Sequence, residues 1–209
     1  QLNFIFLFLT LLAEIIGTVG GFGSSVFFVP IGNFYFDFHT VLGLTAIFHI
    51  FSNASKIFLF KKGLNKKLLL NIGVPSVIFV ILGGILSKYL QSFYLELFLC
   101  IFLIVLSLVF LIRKNLVLPQ IGKFAIGGSL FGFSAGLLGT GGAIRGVTMA
   151  AFNMEKSVFI ATSAAIDFMI DFSRTIVYFQ NGYIQKEVWY YLPFLLVIGF
   201  VGTYIGKRF

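Results

Sequence analysis

Apolar stretches separated by short polar turns make up nearly the whole chain. Residues 2–16, 68–86 and 93–112 contain almost no charged side chains. Each stretch is close to the roughly 20 residues that a helix needs to cross the hydrocarbon core of a bilayer. The pattern therefore predicts an all-α polytopic membrane protein, with a single transmembrane domain over residues 1–209.

Seven apolar segments follow one another along the chain in two sets. The first set covers residues 2–36, 40–60, 68–90 and 93–112, and the second covers residues 124–152, 157–179 and 188–205. A linker at 113–123, which contains Pro119, joins the two sets. We expect a first repeat over 1–112 and a second repeat over 124–209, with the last helix of the second repeat absent.

The two sets carry the same pattern of special residues, 118 positions apart. The equivalent pairs are Pro75 with Pro193, residues 21–25 with residues 139–143, His49 with Asp167, Asn53 with Asp171, and Lys56 with Arg174. Duplicated halves with interrupted apolar segments at corresponding positions are typical of secondary transporters. The duplication therefore predicts that the protein moves a small solute across a bilayer.

The basic residues of the loops favour one topology. If the first segment of each repeat is a re-entrant hairpin, ten of the twelve loop Lys and Arg residues share one face of the membrane; if each segment crosses, eight do. Cytoplasmic loops are enriched in Lys and Arg. We therefore expect re-entrant first segments, about three full spans in a complete repeat, and inverted repeats. A parallel repeat with four crossings per half is the alternative.

The composition excludes several classes of protein. The chain is 59% hydrophobic and 11% charged, with a mean hydropathy of +1.04, whereas about a quarter of an ordinary soluble domain is charged. The net charge of +8 comes mostly from loop residues, so we expect no nucleic-acid partner. Cys100 is the single cysteine, which excludes a disulfide framework or a cysteine-ligated metal site. We expect a multi-pass protein of a bacterial inner membrane.

Glycine-rich breaks interrupt the first segment of each repeat. They contain Gly21, Gly23, Ser24 and Ser25 in the first repeat, and Gly139, Thr140, Gly141 and Gly142 in the second. A break frees peptide N–H groups at a new helix N-terminus, where the helix dipole favours an anion. We therefore expect these residues to bind the substrate. Close helix packing through small residues is the structural alternative.

Polar stripes follow each break. His49, Asn53 and Lys56 have the spacing i, i+4, i+7, as do Asp167, Asp171 and Arg174, so each set shares one helix face. Charged groups at membrane depth usually face a cavity. We predict that Asn53 and Arg174 contact the substrate. We predict that His49, Asp167 and Asp171 carry protons, because two carboxylates one turn apart do not both ionise easily. A purely structural Asp171–Arg174 pair is the alternative.

Two further charges lie in apolar sequence. Arg145 follows the second break and is predicted to bind the oxygen atoms of a sulfonate-type anion in a bidentate manner. Snorkelling of Arg145 to the cytoplasmic face is the alternative. Glu14 has two candidate partners, Lys56 and Arg145, and the sequence does not choose between them.

The chain resembles the sulfite exporter TauE/SafE family over nearly its whole length. The resemblance rests on the first Gly-rich break followed by Pro30, on the second break at 135–142, on a glycine-containing turn in each half (Gly63 and Gly182), and on the glycines that end the Pro-containing helices (Gly83, Gly84, Gly199 and Gly202). Ser24 and Ser25 replace glycines that are usual in the family, Arg145 replaces an apolar residue, and Thr148 stands where a proline is usual.

This resemblance implies secondary transport of small anions such as sulfite, sulfonates or related organic acids, outward and linked to protons. It places the substrate between the two breaks and implies no cofactor and no enzymatic activity. An anion channel is the nearest alternative function. An intramembrane serine hydrolase, with Ser24 or Ser25 and His49 as its catalytic dyad, is a more distant one, as is a structural role. A homo-oligomer is left open.

Overall fold

The computed structural model describes residues 3–60, 63–112, 124–150, 152 and 154–209. Within these ranges every regular element is a helix. The helices are α1 Phe4–Gly20, α2 Ser25–Asn33, α3 Phe38–Leu59, α4 Lys66–Ser87, α5 Ser92–Ile112, α6 Phe124–Leu138, α7 Gly142–Ala150, α8 Lys156–Gln180 and α9 Leu192–Lys207, with a 3-10 helix, Lys186–Tyr191, before α9. The predicted all-α class is confirmed, and the linker at 113–123 lies outside the described residues.

Short polar side chains begin several helices of this apolar chain. Asn3 accepts a hydrogen bond from the Phe6 amide at the start of α1. The side chains of Asp37 and Asn65 likewise accept a hydrogen bond from the amide of the third residue of α3 and of α4, respectively. The first N–H groups of a helix have no partner within the helix, and a side-chain oxygen at the N-cap satisfies one of them. The polar residues between the apolar segments therefore set where the helices begin.

Each glycine-rich break turns the chain back on itself. Gly21 and Gly139 end α1 and α6 with the same φ of +74°, a left-handed conformation that favours glycine. The ring of Phe6, near the start of α1, lies 5.2 Å from that of Phe36, beyond α2. In the second break a Cβ atom at Gly127 would lie 2.6 Å from the Thr148 hydroxyl. The pairs α1–α2 and α6–α7 are therefore helical hairpins.

The helices of the two halves pack in matching pairs. Helix α1 packs against α9, and its equivalent α6 packs against α4, the equivalent of α9. Helix α3 packs against α9 as α8 packs against α4, and α3 and α8 cross each other between these pairs. Each hairpin thus packs mainly against the proline-containing helix of the other half, α9 for the first hairpin and α4 for the second. The inverted orientation of the repeats in a membrane stays a prediction.

A glycine stripe permits the close contact between α4 and α6. Cβ atoms at Gly128, Gly132 and Gly136 would lie 2.6, 2.1 and 2.2 Å from the carbonyl oxygens of residues 72, 76 and 80. Real Cβ atoms do not approach oxygen so closely, and small residues at four-residue spacing are the usual means by which membrane helices meet. The stripe therefore fixes the second hairpin against α4.

The outer surface of this bundle suits lipid. In the described residues, four helical stretches are long and apolar enough to cross a membrane: Phe38–Leu59, Lys66–Ser87, Ser92–Ile112 and Val188–Lys207. Phe4–Gly20 and Ala125–Leu138 are shorter apolar helices. Helix α5 is mostly exposed and carries large apolar side chains all round. The chain is therefore an integral multi-pass membrane protein.

The packing of the glycine stripe leads to a stability prediction. Gly132→Ala should lower stability by about 1–3 kcal/mol, because its methyl group has no room beside the Ser76 carbonyl. Gly73→Ala in α4 is a matched control, because a Cβ atom there would have only ordinary contacts at 3.8 Å or more. It should leave stability unchanged or raise it through better helix propensity. Thermal unfolding in detergent measures both; equal midpoints for the two variants would contradict the packing argument.

Candidate functional site

The tips of the two hairpins touch inside the protein. The Thr140 hydroxyl donates a hydrogen bond to the Ser25 hydroxyl at 3.1 Å. A Cβ atom at Gly142 would lie 2.0 Å from the Phe22 carbonyl oxygen. Gly142 is therefore needed for the tips to meet, and the small residues of the breaks serve the close packing that the sequence left as an alternative.

A small polar cavity lies where the tips meet the stripes on α3 and α8. Its volume is about 30 Å³, which is room for about two water molecules. Of the predicted site residues it is lined by Gly23, Ser24, Ser25, His49, Asn53, Gly139, Gly141, Gly142, Asp167, Asp171 and Arg174. The duplicated pattern therefore converges on one small polar space, which we call the central cavity.

A second, smaller cavity of about 10 Å³ lies beside the first. It contains two of the three predicted residues that the central cavity lacks, Gly21 and Arg145. The two cavities share Gly23, Asn53, Lys56 and Asp167, so these residues border both of them. Thr140 lines neither cavity and contributes through its hydrogen bond to the first tip.

The two stripes meet at equivalent positions. The Asn53 amide nitrogen donates to Asp171 Oδ2 at 2.7 Å, and these residues are 118 positions apart. The other oxygen of Asp171 pairs with Arg174 at 2.7 Å. The structural pair that the sequence offered as an alternative is therefore present, and it also joins α3 to α8.

Arg174 holds the end of the second hairpin. Its Nη1 donates to the carbonyl oxygens of Ala135 and Gly139, both at 3.0 Å. The Tyr178 hydroxyl donates to the Gly136 carbonyl oxygen at 2.6 Å. The last carbonyls of a helix have no partner within the helix and form the negative end of its dipole. A buried guanidinium from α8 both donates hydrogen bonds to these carbonyls and places a positive charge at the negative end of the dipole.

His49 links Arg174 of the second half to Ser24 at the tip of the first hairpin, with one ring nitrogen facing each. Arg174 Nη2 lies 3.3 Å from His49 Nδ1, and the Ser24 hydroxyl lies 2.9 Å from His49 Nε2. A guanidinium has no acceptor, so Nδ1 must be unprotonated for this contact to be a hydrogen bond. We assign the hydrogen to Nε2 on that ground, and Nε2 then donates to Ser24.

Glu14 is a site residue that the sequence did not place in the site. Its carboxylate accepts hydrogen bonds from Lys56 at 2.7 Å and from Ser24 at 2.6 Å. Ser52, Thr18 and Thr203 also donate to it, at 2.6, 3.1 and 3.0 Å. Of the two partners that the sequence left open, the structure selects Lys56. The sequence feature that could have placed Glu14 in the site is that it is the single acidic residue in the first apolar segment.

Arg145 and Asp167 pair with each other. Arg145 Nη1 donates to Asp167 Oδ2, and Arg145 Nη2 donates to the Gly21 carbonyl oxygen at 3.1 Å. The Arg145 side chain is 1% exposed, so it does not snorkel to a membrane face. Asp167, which has no cation near it in sequence, receives one from another helix.

Positive and negative charges balance at this site. Within the described residues the buried ion pairs are Lys56 with Glu14, Arg145 with Asp167, and Arg174 with Asp171. The same residues offer no cluster of three His, Cys, Asp or Glu side chains that could hold a metal ion. The site is therefore a neutral set of ion pairs around small cavities, a setting in which a charge can exchange partners.

The Glu14–Lys56 pair leads to a second prediction. Glu14→Gln should lower stability by about 3–5 kcal/mol, because removing one partner leaves the other buried charge uncompensated. Replacing both residues by Met should recover much of the loss, since a buried pair contributes less than its removal suggests. Thermal unfolding of the two variants in detergent measures this. A Glu14→Gln protein as stable as the parent would show that Lys56 does not depend on the pair.

Comparison with known proteins identifies the family of the chain. No curated protein and no solved structure gives a significant match to the chain. The family model described as "Sulfite exporter TauE/SafE" matches residues 6–209, which is essentially the whole chain. On this match, the protein belongs to the sulfite exporter TauE/SafE family.

Proposed function

We propose that the protein is a secondary transporter that exports small anions, such as sulfite, sulfonates or related organic acids, together with protons. The observation that carries the proposal is the meeting of two Gly-broken hairpins at a small polar cavity bordered by the buried Arg174, with the buried Arg145 in the cavity beside it. Transporters with internal repeats bind their substrates near the membrane midplane, at the repeat interface, between discontinuous helices. The family membership supports transport, and the anion and the coupling are our proposal.

The substrate site lies between the two breaks. Helices α2 and α7 begin at Ser25 and Gly142, and both residues line the central cavity. The N-terminal N–H groups and the dipoles of both helices favour an anion there. The hydroxyl groups of Ser24 and Ser25 add donors. Asn53 and Arg174 border the same cavity from α3 and α8, as substrate contacts would.

The structure corresponds to a closed state of such a transporter. The central cavity has room for about two waters, which is less than an anion with three or more oxygen atoms needs. Transport then requires the hairpin tips to separate from α3 and α8, first toward one face of the membrane and then toward the other.

Proton coupling rests on the carboxylates rather than on His49. Asp167 and Asp171 each border the central cavity and each face a guanidinium. His49 contacts Arg174 through Nδ1, and this contact is lost if Nδ1 gains a proton. We assign His49 the role of linking Arg174 to Ser24, with proton binding left to Asp167 and Asp171.

A hydrolase is the second candidate, because Ser24 and His49 lie 2.9 Å apart. The polarity of the hydrogen bonds argues against it. A catalytic histidine accepts the serine proton, and an acid orients it from its other nitrogen. Here Arg174 donates to Nδ1, and the Ser24 hydroxyl donates to Glu14 at 2.6 Å. Ser24 therefore donates its hydroxyl hydrogen to Glu14 and not to His49, so these hydrogen bonds do not form the serine–histidine dyad of a hydrolase.

Flux measurements test the transporter proposal. We expect proteoliposomes to take up radiolabelled sulfite, sulfoacetate or taurine saturably, and faster with a pH gradient. Arg145→Ala should abolish the flux, because the guanidinium is the predicted partner of the anion. Arg208→Ala is the matched control, since Arg208 is exposed and contacts the nearby Tyr204 hydroxyl, and it should leave the flux unchanged.

Other outcomes of the flux measurement point to other functions. Flux that rises linearly with concentration and ignores a pH gradient would indicate an anion channel. No flux of any of the three anions, with folded protein in the membrane, would refute the proposed substrate class.

Labelling with a fluorophosphonate tests the hydrolase. We expect no adduct on Ser24, because its hydroxyl donates to Glu14 and not to a histidine base. Mass spectrometry of the treated protein measures this, with Ser24→Ala as the control. An adduct that is present in the parent protein and absent from Ser24→Ala would overturn the assignment and favour the enzyme.

A further inference from the structure

We propose that Asp167 and the transported anion compete for the guanidinium of Arg145, so that a proton on Asp167 is what admits the anion. This inference rests on the proposed function, because it assumes that the site binds an anion. It assigns the coupling to one ion pair among those of the site. It also predicts that one proton accompanies each monovalent anion.

The Arg145 guanidinium has one N–H donor that is not used in a hydrogen bond to any described residue. Its guanidinium is buried and donates to Asp167 and to the Gly21 carbonyl oxygen. Like the Nε of Arg174, its Nε has no acceptor within the described part of the chain. A buried donor without a partner is unfavourable, so such groups call for an explanation. An oxyanion with several oxygen atoms would engage the guanidinium in a bidentate manner and satisfy this nitrogen.

Asp167 is the carboxylate that is free to leave its partner. Its side chain is 16% exposed, against 0% for Glu14 and 6% for Asp171. Glu14 is held by Lys56 and by four hydroxyl groups, and Asp171 is held by Asn53 as well as by Arg174. By contrast, Asp167 Oδ1 has no partner among the described residues. Of these three pairs, the Asp167 pair therefore opens with the fewest hydrogen bonds lost.

Asp167 lies where its movement would change the space that is available to an anion. Asp167 lines both the central cavity and the smaller cavity that contains Arg145. Neither cavity is large enough for an oxyanion while the side chain is paired with Arg145. If Asp167 turns away from Arg145, one of the residues that border both cavities moves, and the space beside the guanidinium enlarges.

Charge neutrality sets the stoichiometry. The charged and titratable groups that face Asp167 across the two cavities are Arg145 on α7, Lys56 and His49 on α3, and Asp171 and Arg174 on α8. Lys56 is already neutralised by Glu14, and Arg174 by Asp171. An added anion would leave a buried negative charge without a partner, which is strongly unfavourable. A proton on Asp167 removes one negative charge, and the site with a monovalent anion is again neutral.

Binding of methanesulfonate tests the competition, because this ion keeps a single negative charge over the whole pH range used. Calorimetry on purified protein in detergent should show affinity rising as pH falls from 8 to 6, approaching about tenfold per pH unit for one linked proton. Asp167→Asn should bind at least tenfold tighter than the parent at pH 8, and its affinity should not depend on pH. Asp167→Glu, which keeps the carboxylate, should retain the pH dependence.

Two controls distinguish competition from a positioning role of Asp167. Glu96→Gln removes a carboxylate on α5 that borders neither cavity and should not tighten binding. The thermal midpoint of Asp167→Asn should rise on addition of methanesulfonate at pH 8 by more than that of the parent, which also reports whether the variant folds.

Several results would overturn the inference. Weaker binding by Asp167→Asn, or an unchanged pH dependence, would show that Asp167 positions Arg145 for the anion instead of competing with it. Absence of methanesulfonate binding to both proteins would also refute it. Saturable, pH-driven sulfite flux together with any of these results would leave the transporter proposal standing and remove only the competition. Failure of the flux itself would remove both.

Discussion

Burial of charge inside an apolar bundle is the constraint on which the rest of this structure depends. An isolated charge in such an interior is so unfavourable that charged groups there are paired or bound to further polar groups. The observed pairs tie α1 to α3, α7 to α8 and, through Asn53, α3 to α8. They therefore fix both hairpin tips against the two crossing helices. The apolar surface holds the protein in lipid, but the ion pairs determine where the breaks lie relative to each other.

The two halves share the same arrangement of helices, but they carry charged residues at different positions. Glu14 lies 118 positions before Gly132, so an acid in the first hairpin occupies the place of a packing glycine in the second. Helix α9 makes room for it, because a Cβ atom at Gly202 would lie 2.8 Å from the Glu14 side chain. The first half thus contains a carboxylate held by many donors, while the second half is packed through its glycine backbone. The more exposed carboxylate, Asp167, lies in the second half.

The sequence predicts the helices and the convergence of the breaks well, and the pairing of charges poorly. Helices α3, α4, α5 and α8 lie within three residues of the predicted segments at both ends, because hydropathy and flanking polar residues set helix bounds locally. The stripe spacing also placed Asp171 beside Arg174, since a helix fixes neighbours three residues apart. The partners of Glu14 and Asp167 depend on how separate helices rotate and cross. Spacing along the chain carries no information on that, so these contacts required the structure.

Arg145 connects substrate recognition to the movement of the hairpins. Its Nη2 holds the Gly21 carbonyl oxygen at the tip of the first hairpin, although Arg145 itself belongs to the second. Gly21 is the residue at which the left-handed turn ends α1. If an anion takes the guanidinium from Asp167, the new contact forms on a side chain that already bridges the two tips. Any change in the orientation of the guanidinium then acts on both hairpins together. Ion-pair exchange at this residue would therefore link occupancy of the site to separation of the tips, which a pair confined to one hairpin could not do.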